Sequence, residues 1–139
     1  MQDLTIGRLA KTAGSDVETI RYYERRGLVP EPPRGRNGYR LYPASAVARL
    51  RFIQRAKTLG FSLAEIADLL RLQDANADRG EVRAMTRQKQ ADLDQRIADL
   101  QRMRAVLADL EERCTGHGPA QSCPIIEALN QHASPEVAE

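Results

Sequence analysis

LTIGRLAKTAGSDVETIRYYERRG, residues 4–27, carries the pattern on which the fold of this chain turns. Leu4–Gly14 reads as a short helix: Thr5 can cap it, Ile6, Leu9, Ala10 and Ala13 form its apolar face, and Gly14 ends it. Ser15 and Glu18 then read as a capping box, a hydroxyl and a carboxylate satisfying free N–H groups at the next helix start. That helix, about residues 17–25, displays Arg21, Tyr22, Tyr23, Arg25 and Arg26 and stops at Gly27. Two short helices joined by a tight turn, the second basic and bearing tyrosines, make a helix-turn-helix pattern. Many small helical domains contain such a turn, so the pattern alone is equally met by a three-helix core with a solvated basic face.

The following segment favours the first reading. Pro30, Pro32 and Pro33 stop helix formation, Arg34 to Gly38 is a basic turn, and Tyr39 to Tyr42 alternates like a short strand. A small β-ribbon with arginine at its tip, directly after a helix-turn-helix, reads as a wing whose cations meet phosphates and fix register without reading sequence. Pro43 opens a third helix through about Leu59, with Val47, Leu50, Ile53 and Ala56 on its apolar stripe and Gly60 at its end. Ser62 and Glu65 form a further capping box, starting a fourth helix to about Leu72. Residues 1–73 are therefore expected to be a winged helix-turn-helix domain in a mainly α chain.

Residues 73–80 read as a polar linker, and a long helix is expected over 80–113, because residues 81–113 contain neither Gly nor Pro. Val82, Met85, Leu93, Ile97, Leu100, Met103, Leu107 and Leu110 recur along it, mostly at intervals of three and four. A helix of that length extends about 50 Å at ~1.5 Å per residue. Packing it back onto a small N-terminal domain is geometrically poor, so its seam calls for a coiled-coil partner, and a homodimer is the expected state.

Composition agrees with this division. The net charge of +2 hides an N-terminal basic part, with 12 Lys and Arg against 5 Asp and Glu in residues 1–60, and an acidic remainder with 9 against 14. A basic half beside an acidic half points to a polyanion-binding module, with nucleic acid as the leading candidate. No apolar run approaches the ~18 residues of a membrane span, and the first ten residues lack an apolar signal core. The expectation is a cytoplasmic chain with no membrane partner.

Residues 114–132 form the last segment, a small-residue loop and a short C-terminal helix, with residues 133–139 expected to fray. Cys114 and Cys123 flank the loop and are the chain's two cysteines, so no disulfide framework holds the fold. Pro124 suits a first helical turn, which puts Cys123 at a helix N-terminus, where the dipole stabilises thiolate.

In these stretches, together with NGYRLY at 37–42, LRFIQRAKTLGFSLAEIADLL at 50–70, and two cysteines with eight residues between them followed by Pro-Ile-Ile-Glu, the chain resembles the MerR family of transcription activators, specifically its metal-sensing branch. With the long helix the resemblance covers almost the whole sequence. It implies a winged-helix homodimer joined by an antiparallel coiled coil and bound across an over-long promoter spacer. It implies further that metal binding bends and untwists the duplex so that RNA polymerase engages it, an effect of DNA shape. By position it puts Arg21 and Tyr22 on the recognition helix and Arg36, Tyr39 and Arg40 on the wing.

The metal would be held by Cys114 and Cys123. Soft thiolates select Cu(I), Hg(II), Zn(II) and Cd(II). Two thiolates cannot close a tetrahedron, and linear coordination suits Cu(I), Ag(I), Au(I) or Hg(II). Relatives that sense divalent ions usually bring a third cysteine from the start of the partner's long helix, a place that falls here at about Arg79. Two thiolates with a monovalent ion leave a buried charge of −1, which the helix terminus and Arg79 of the partner subunit could offset. Cu(I) or Ag(I) is therefore placed slightly above Hg(II), with Zn(II), Cd(II) or Pb(II) third. His117 lies inside the loop, and imidazole suits Zn(II), but a lone loop histidine is more often solvated than ligating.

Other classes fare worse. No Ser/His/Asp or Cys/His set marks an enzyme, and both histidines lie near the C-terminus. An iron–sulfur cluster normally takes four cysteines. A drug-sensing relative needs a ligand domain that residues 124–139 are too few to build. Oxidation of Cys114 and Cys123 to a disulfide remains the competing switch.

Overall fold

In the computed structural model, residues 3–131 are described, and the tail expected to fray lies outside them. Residues with small or branched apolar side chains build the first compact unit, Met1–Lys89. Leu9, Ile20, Leu50, Ile53, Ile66 and Leu70 are buried to 1% exposure or less, and Tyr23, Leu28, Val29 and Tyr42 complete their core. Four helices supply these side chains: α1 Ile6–Ala13, α2 Val17–Arg25, α3 Ser45–Thr58 and α4 Leu63–Asp74. α1 packs on α2 and α3, and α3 packs on α4.

The helix ends follow local chemistry. Thr5 caps α1 by accepting from the Arg8 N–H, and Gly14 closes it in the left-handed conformation at φ +71°. At α2 the expected Ser15–Glu18 capping box does not form. Asp16 is the N-cap instead, accepting from the Thr19 N–H at 2.7 Å, while the Ser15 N–H closes the previous helix on Ala10 O at 2.8 Å. The Thr19 N–H first, and the Thr19 side chain second, hold the Asp16 carboxyl below the usual aspartate pKa. The Ser62–Glu65 box at α4 is present in full.

Two further expectations change. Tyr23 is not displayed but buried in the core, since the period of α2 turns it inward beside Ile20. Tyr39–Tyr42 is not a strand: among the described residues the wing has isolated antiparallel bridges, Arg34 with Arg40 and Leu4 with Tyr42. Proline on one arm and a turn at Ala44, after residues 39–43, on the other leave too little chain for a ladder.

α4 runs two residues past Leu72, so the connection shrinks to residues 75–78, with Asn76 turning it at φ 50°. α5 then spans Arg79–Arg113, 35 residues or about 52 Å at ~1.5 Å each. Its first eleven residues belong to the first unit, where Lys89 is 7% exposed and pairs with Glu65. At ~100° per residue Lys89 falls on the stripe that carries Val82, Met85 and Leu93.

The second unit, Gln90–Glu139, holds the rest of α5, a 3-10 turn at Ala120–Ser122, and α6, Pro124–Asn130. Ile97, Leu100, Met103 and Leu107 are 53–62% exposed and occupy about a third of the helix circumference. Leu110 alone among the large apolar side chains of this stretch is buried. No helix among the described residues is long and apolar enough to cross a membrane.

Candidate functional site

α2 exposes Arg21 and Arg25 on the face opposite Ile20 and Tyr23, and its C-cap Arg26 is exposed as well. Tyr22 is half-buried, and its hydroxyl accepts from Arg26 Nε at 3.1 Å and Nη2 at 2.7 Å. The guanidinium carbons of Arg25 and Arg26 lie 5.9 and 5.1 Å from its ring centre. Tyr22 thus orders two cations on the helix surface while its own hydroxyl hydrogen stays available.

Across from this face, the Gly38 N–H donates to Gly35 O at 3.0 Å and the Gly35 N–H to Tyr39 O at 2.7 Å, closing a tight turn. Gly38 sits at φ +78°, where a side chain would be strained. Arg34 Nη1 donates to Gly38 O at 2.7 Å, and Arg36 stands exposed at the tip. Tyr39 is 70% exposed. Arg40 is half-buried: its Nε donates to Pro32 O at 3.1 Å, and its Nη2 meets Glu31 at 3.2 Å.

A groove of about 390 Å³ separates helix and wing, lined among others by Arg21, Glu24, Arg25, Arg34, Tyr39 and Arg40. Of the expected residues, Arg21, Tyr39 and Arg40 meet here, whereas Tyr22 and Arg36 lie outside the lining. Arg34 and Glu24 were not singled out from the sequence. Arg34 stood in the basic turn and was legible, but an acidic residue facing a polyanion site carries no such signal. Cations on two elements around one groove suit two runs of phosphate, and Arg34 and Arg40 are held by hydrogen bonds before binding.

The second cluster is the thiol pair. Cys114 directly follows α5, with its N–H on Glu111 O at 3.1 Å, and Cys123 is the N-cap of α6. Gly116 and Gly118, at φ +84° and +105°, let the loop fold back within eight residues. The sulfurs come to 3.3 Å. Cys114 first, then the N–H groups of Ile126 and Ile125, hold the Cys123 thiol below its usual pKa, against burial and Glu127.

The two sulfurs are a soft donor pair close enough to share one ion at a thiolate–metal distance of about 2.3 Å. Among the described residues no three His, Cys, Asp or Glu side chains gather as a metal group. His117 is exposed, and its backbone N–H turns to Thr115 Oγ1 at 3.3 Å. Arg79 is the exposed first residue of α5.

The family model for MerR HTH family regulatory proteins matches residues 4–73, and that described as MerR, DNA binding, matches 47–110. The mercuric resistance operon regulatory protein of Serratia marcescens is 42% identical over the whole chain and 96% of its own length. PbrR691 of Ralstonia metallidurans CH34, crystallised with lead(II), superposes with a TM-score of 0.82 at 35% identity, covering 91% of this chain and 98% of that one. MerR of Bacillus megaterium MB1, crystallised with mercury(II), gives a TM-score of 0.69 at 40% identity over 94% and 100% of the two chains. These relatives are regulators rather than enzymes. The chain belongs to the MerR family of helix-turn-helix transcription regulators, in its metal-sensing branch.

Proposed function

We propose that this chain binds double-stranded promoter DNA as a homodimer and, on taking up a thiophilic metal ion at Cys114 and Cys123, distorts the duplex so that RNA polymerase initiates. The observation that carries the reading is the approach of the two sulfurs to 3.3 Å, in a chain whose other end presents a cation-lined groove. Arg21, Arg36, Arg40 and Tyr39 supply contacts to phosphate and sugar, and Tyr22 orders Arg25 and Arg26 beside them. A second copy covers Ile97, Leu100, Met103 and Leu107 through an antiparallel coiled coil, as no apolar cover for them comes from the described part of their own unit.

The metal supplies a cross-link between two thiolates that stiffens the loop. The chain's part is to hold Cys123 toward thiolate and to bring Cys114 against it. Two soft ligands without a third favour an ion stable in linear coordination, for which the sulfurs part from 3.3 Å to about 4.6 Å, twice the thiolate–metal distance, and the charge argument at Arg79 puts Cu(I) or Ag(I) first. Hg(II) is the second reading, favoured by the likeness to mercuric resistance regulators. Zn(II), Cd(II) or Pb(II) needs a further donor, for which His117 is the candidate.

The test is a metal-by-metal titration of reduced protein on operator DNA, read by duplex untwisting. Untwisting by Cu(I) or Ag(I) at stoichiometric metal supports the first reading, and a response to Hg(II) alone replaces it by the second. No response to any thiophilic ion removes the sensing role.

A further inference from the structure

Tyr42 stands where three parts of the first unit meet. Its backbone pairs both ways with Leu4, through Leu4 N–H to Tyr42 O at 2.8 Å and Tyr42 N–H to Leu4 O at 2.7 Å. The residue is 1% exposed, and its hydroxyl donates a hydrogen bond to the Glu24 carboxylate on α2. Burial first, and Glu24 second, hold the phenol well above its ordinary pKa, so Tyr42 remains the donor.

Glu24 lines the same groove as Arg21, Arg25, Arg34 and Arg40. A carboxylate in that place repels a polyanion, so contact with phosphate does not account for it. The wing supplies a reason. Its own pairing is the single bridge of Arg34 with Arg40, and a two-stranded ribbon that short does not hold its position unaided. Arg40 braces one arm on Pro32 and Glu31, which stiffens the wing internally but ties it to no helix. The bond from Tyr42 to Glu24 does that.

We propose that Glu24 and Tyr42 form a strut pinning the root of the wing to the recognition helix, and that this strut sets the spacing between the helix's phosphate contacts and the wing's. Both are positioning residues. The inference rests on the reading of this groove as the DNA face. Without the Tyr42 hydroxyl, the Glu24 carboxylate loses its donor and turns to the neighbouring arginines, competing with phosphate for them.

Hydroxyl-radical footprinting of the operator, with affinity measured alongside, tests the strut on the full-length protein. Tyr42→Phe should lose protection at the outer, wing-contacted sugars and keep it at the recognition helix, with operator affinity about tenfold lower. Glu24→Ala should behave the same way. Glu24→Gln keeps an oxygen that accepts from Tyr42 and removes a repelling charge, so it should retain the full footprint and bind as tightly as the parent or more so. If Tyr42→Phe does not fold by circular dichroism, the Glu24 pair decides alone: a wing lost in Ala and kept in Gln supports the strut, and like footprints overturn it. A folded Tyr42→Phe with parental footprint and affinity also overturns it. Arg21→Ala, run in parallel, separates the two levels: if it too leaves operator binding unchanged, the DNA-face reading is what fails.

Discussion

Lys89 of α5 places its ammonium 2.8 Å from Glu65 Oε1, the same oxygen that accepts the Ser62 N–H in the capping box of α4. The Phe61 ring lies 5.7 Å from that ammonium. A capping residue is thereby also the anchor of the long helix, and both functions depend on one ionised carboxylate. Lys89 is buried, whereas Glu65 keeps about a third of its side-chain surface, 32%.

The two ends of that pair should respond differently to substitution. Lys89→Met fills the same space without a charge and should stay within about 1 kcal/mol of the parent in urea unfolding. Glu65→Ala removes both the cap and the acceptor of a buried cation and should cost about 2–3 kcal/mol, allowing for the exposure of Glu65.

Acid should reveal the same carboxylate. The bond from Lys89 first, then the Ser62 N–H, hold Glu65 below its ordinary pKa of 4.5. A depressed folded pKa means stability present in full above the unfolded value and lost as pH falls through the folded one. Midpoints of urea unfolding measured below pH 4.5 should therefore fall less steeply for Glu65→Gln than for the parent.

For the proposed dimer, Leu100→Glu with Leu107→Glu puts charge into the exposed stripe. Sedimentation should then show monomers, and operator affinity should drop by about a hundredfold as avidity is lost. An unchanged dimer mass would show that the partner surface lies elsewhere.

On the DNA side, Arg21→Ala should lower operator affinity, reduce the salt slope by about one, and leave metal affinity alone. Arg40→Ala should change the slope less, since Glu31 already meets part of its charge, yet it should loosen the wing by freeing Pro32 O.

At the thiols, Cys114→Ser or Cys123→Ser should abolish the metal response and leave the apo-protein on DNA. Because Cys114 is the largest cause of the depressed Cys123 pKa, Cys114→Ser should shift the pH dependence of Cys123 alkylation upward. His117→Ala should keep a Cu(I) or Ag(I) response, and Arg79→Cys should improve divalent binding by adding a thiolate and removing a repelling cation. A Zn(II) site with sulfur and imidazole ligands in X-ray absorption, with Cu(I) causing no untwisting, would reverse that choice of metal.

Much of this was settled by local chemistry in the sequence. Thr5, Gly14, Ser62 and Glu65 act on their own neighbours within four residues, so the ends of α1 and the start of α4 fall where those residues stand. The absence of Gly and Pro from residues 81–113 did the same for α5, and the cysteine spacing with Pro124 put Cys123 at a helix start. What needed the tertiary structure were choices among locally equal options. Ser15 and Asp16 can both cap; the Ser15 N–H is drawn to Ala10, and Asp16 takes the cap. Tyr22 and Tyr23 are alike in sequence, and the packing of α2 on α1 decides which one is buried. Lys89 interrupts an apolar stripe, and the fold brings Glu65 from 24 positions earlier to meet it. Tyr42 and Glu24, 18 residues apart, are likewise joined by the fold. Pairings across such distances depend on how helices stack, because burial energy is summed over the whole core and no local pattern records which polar groups it will bring face to face.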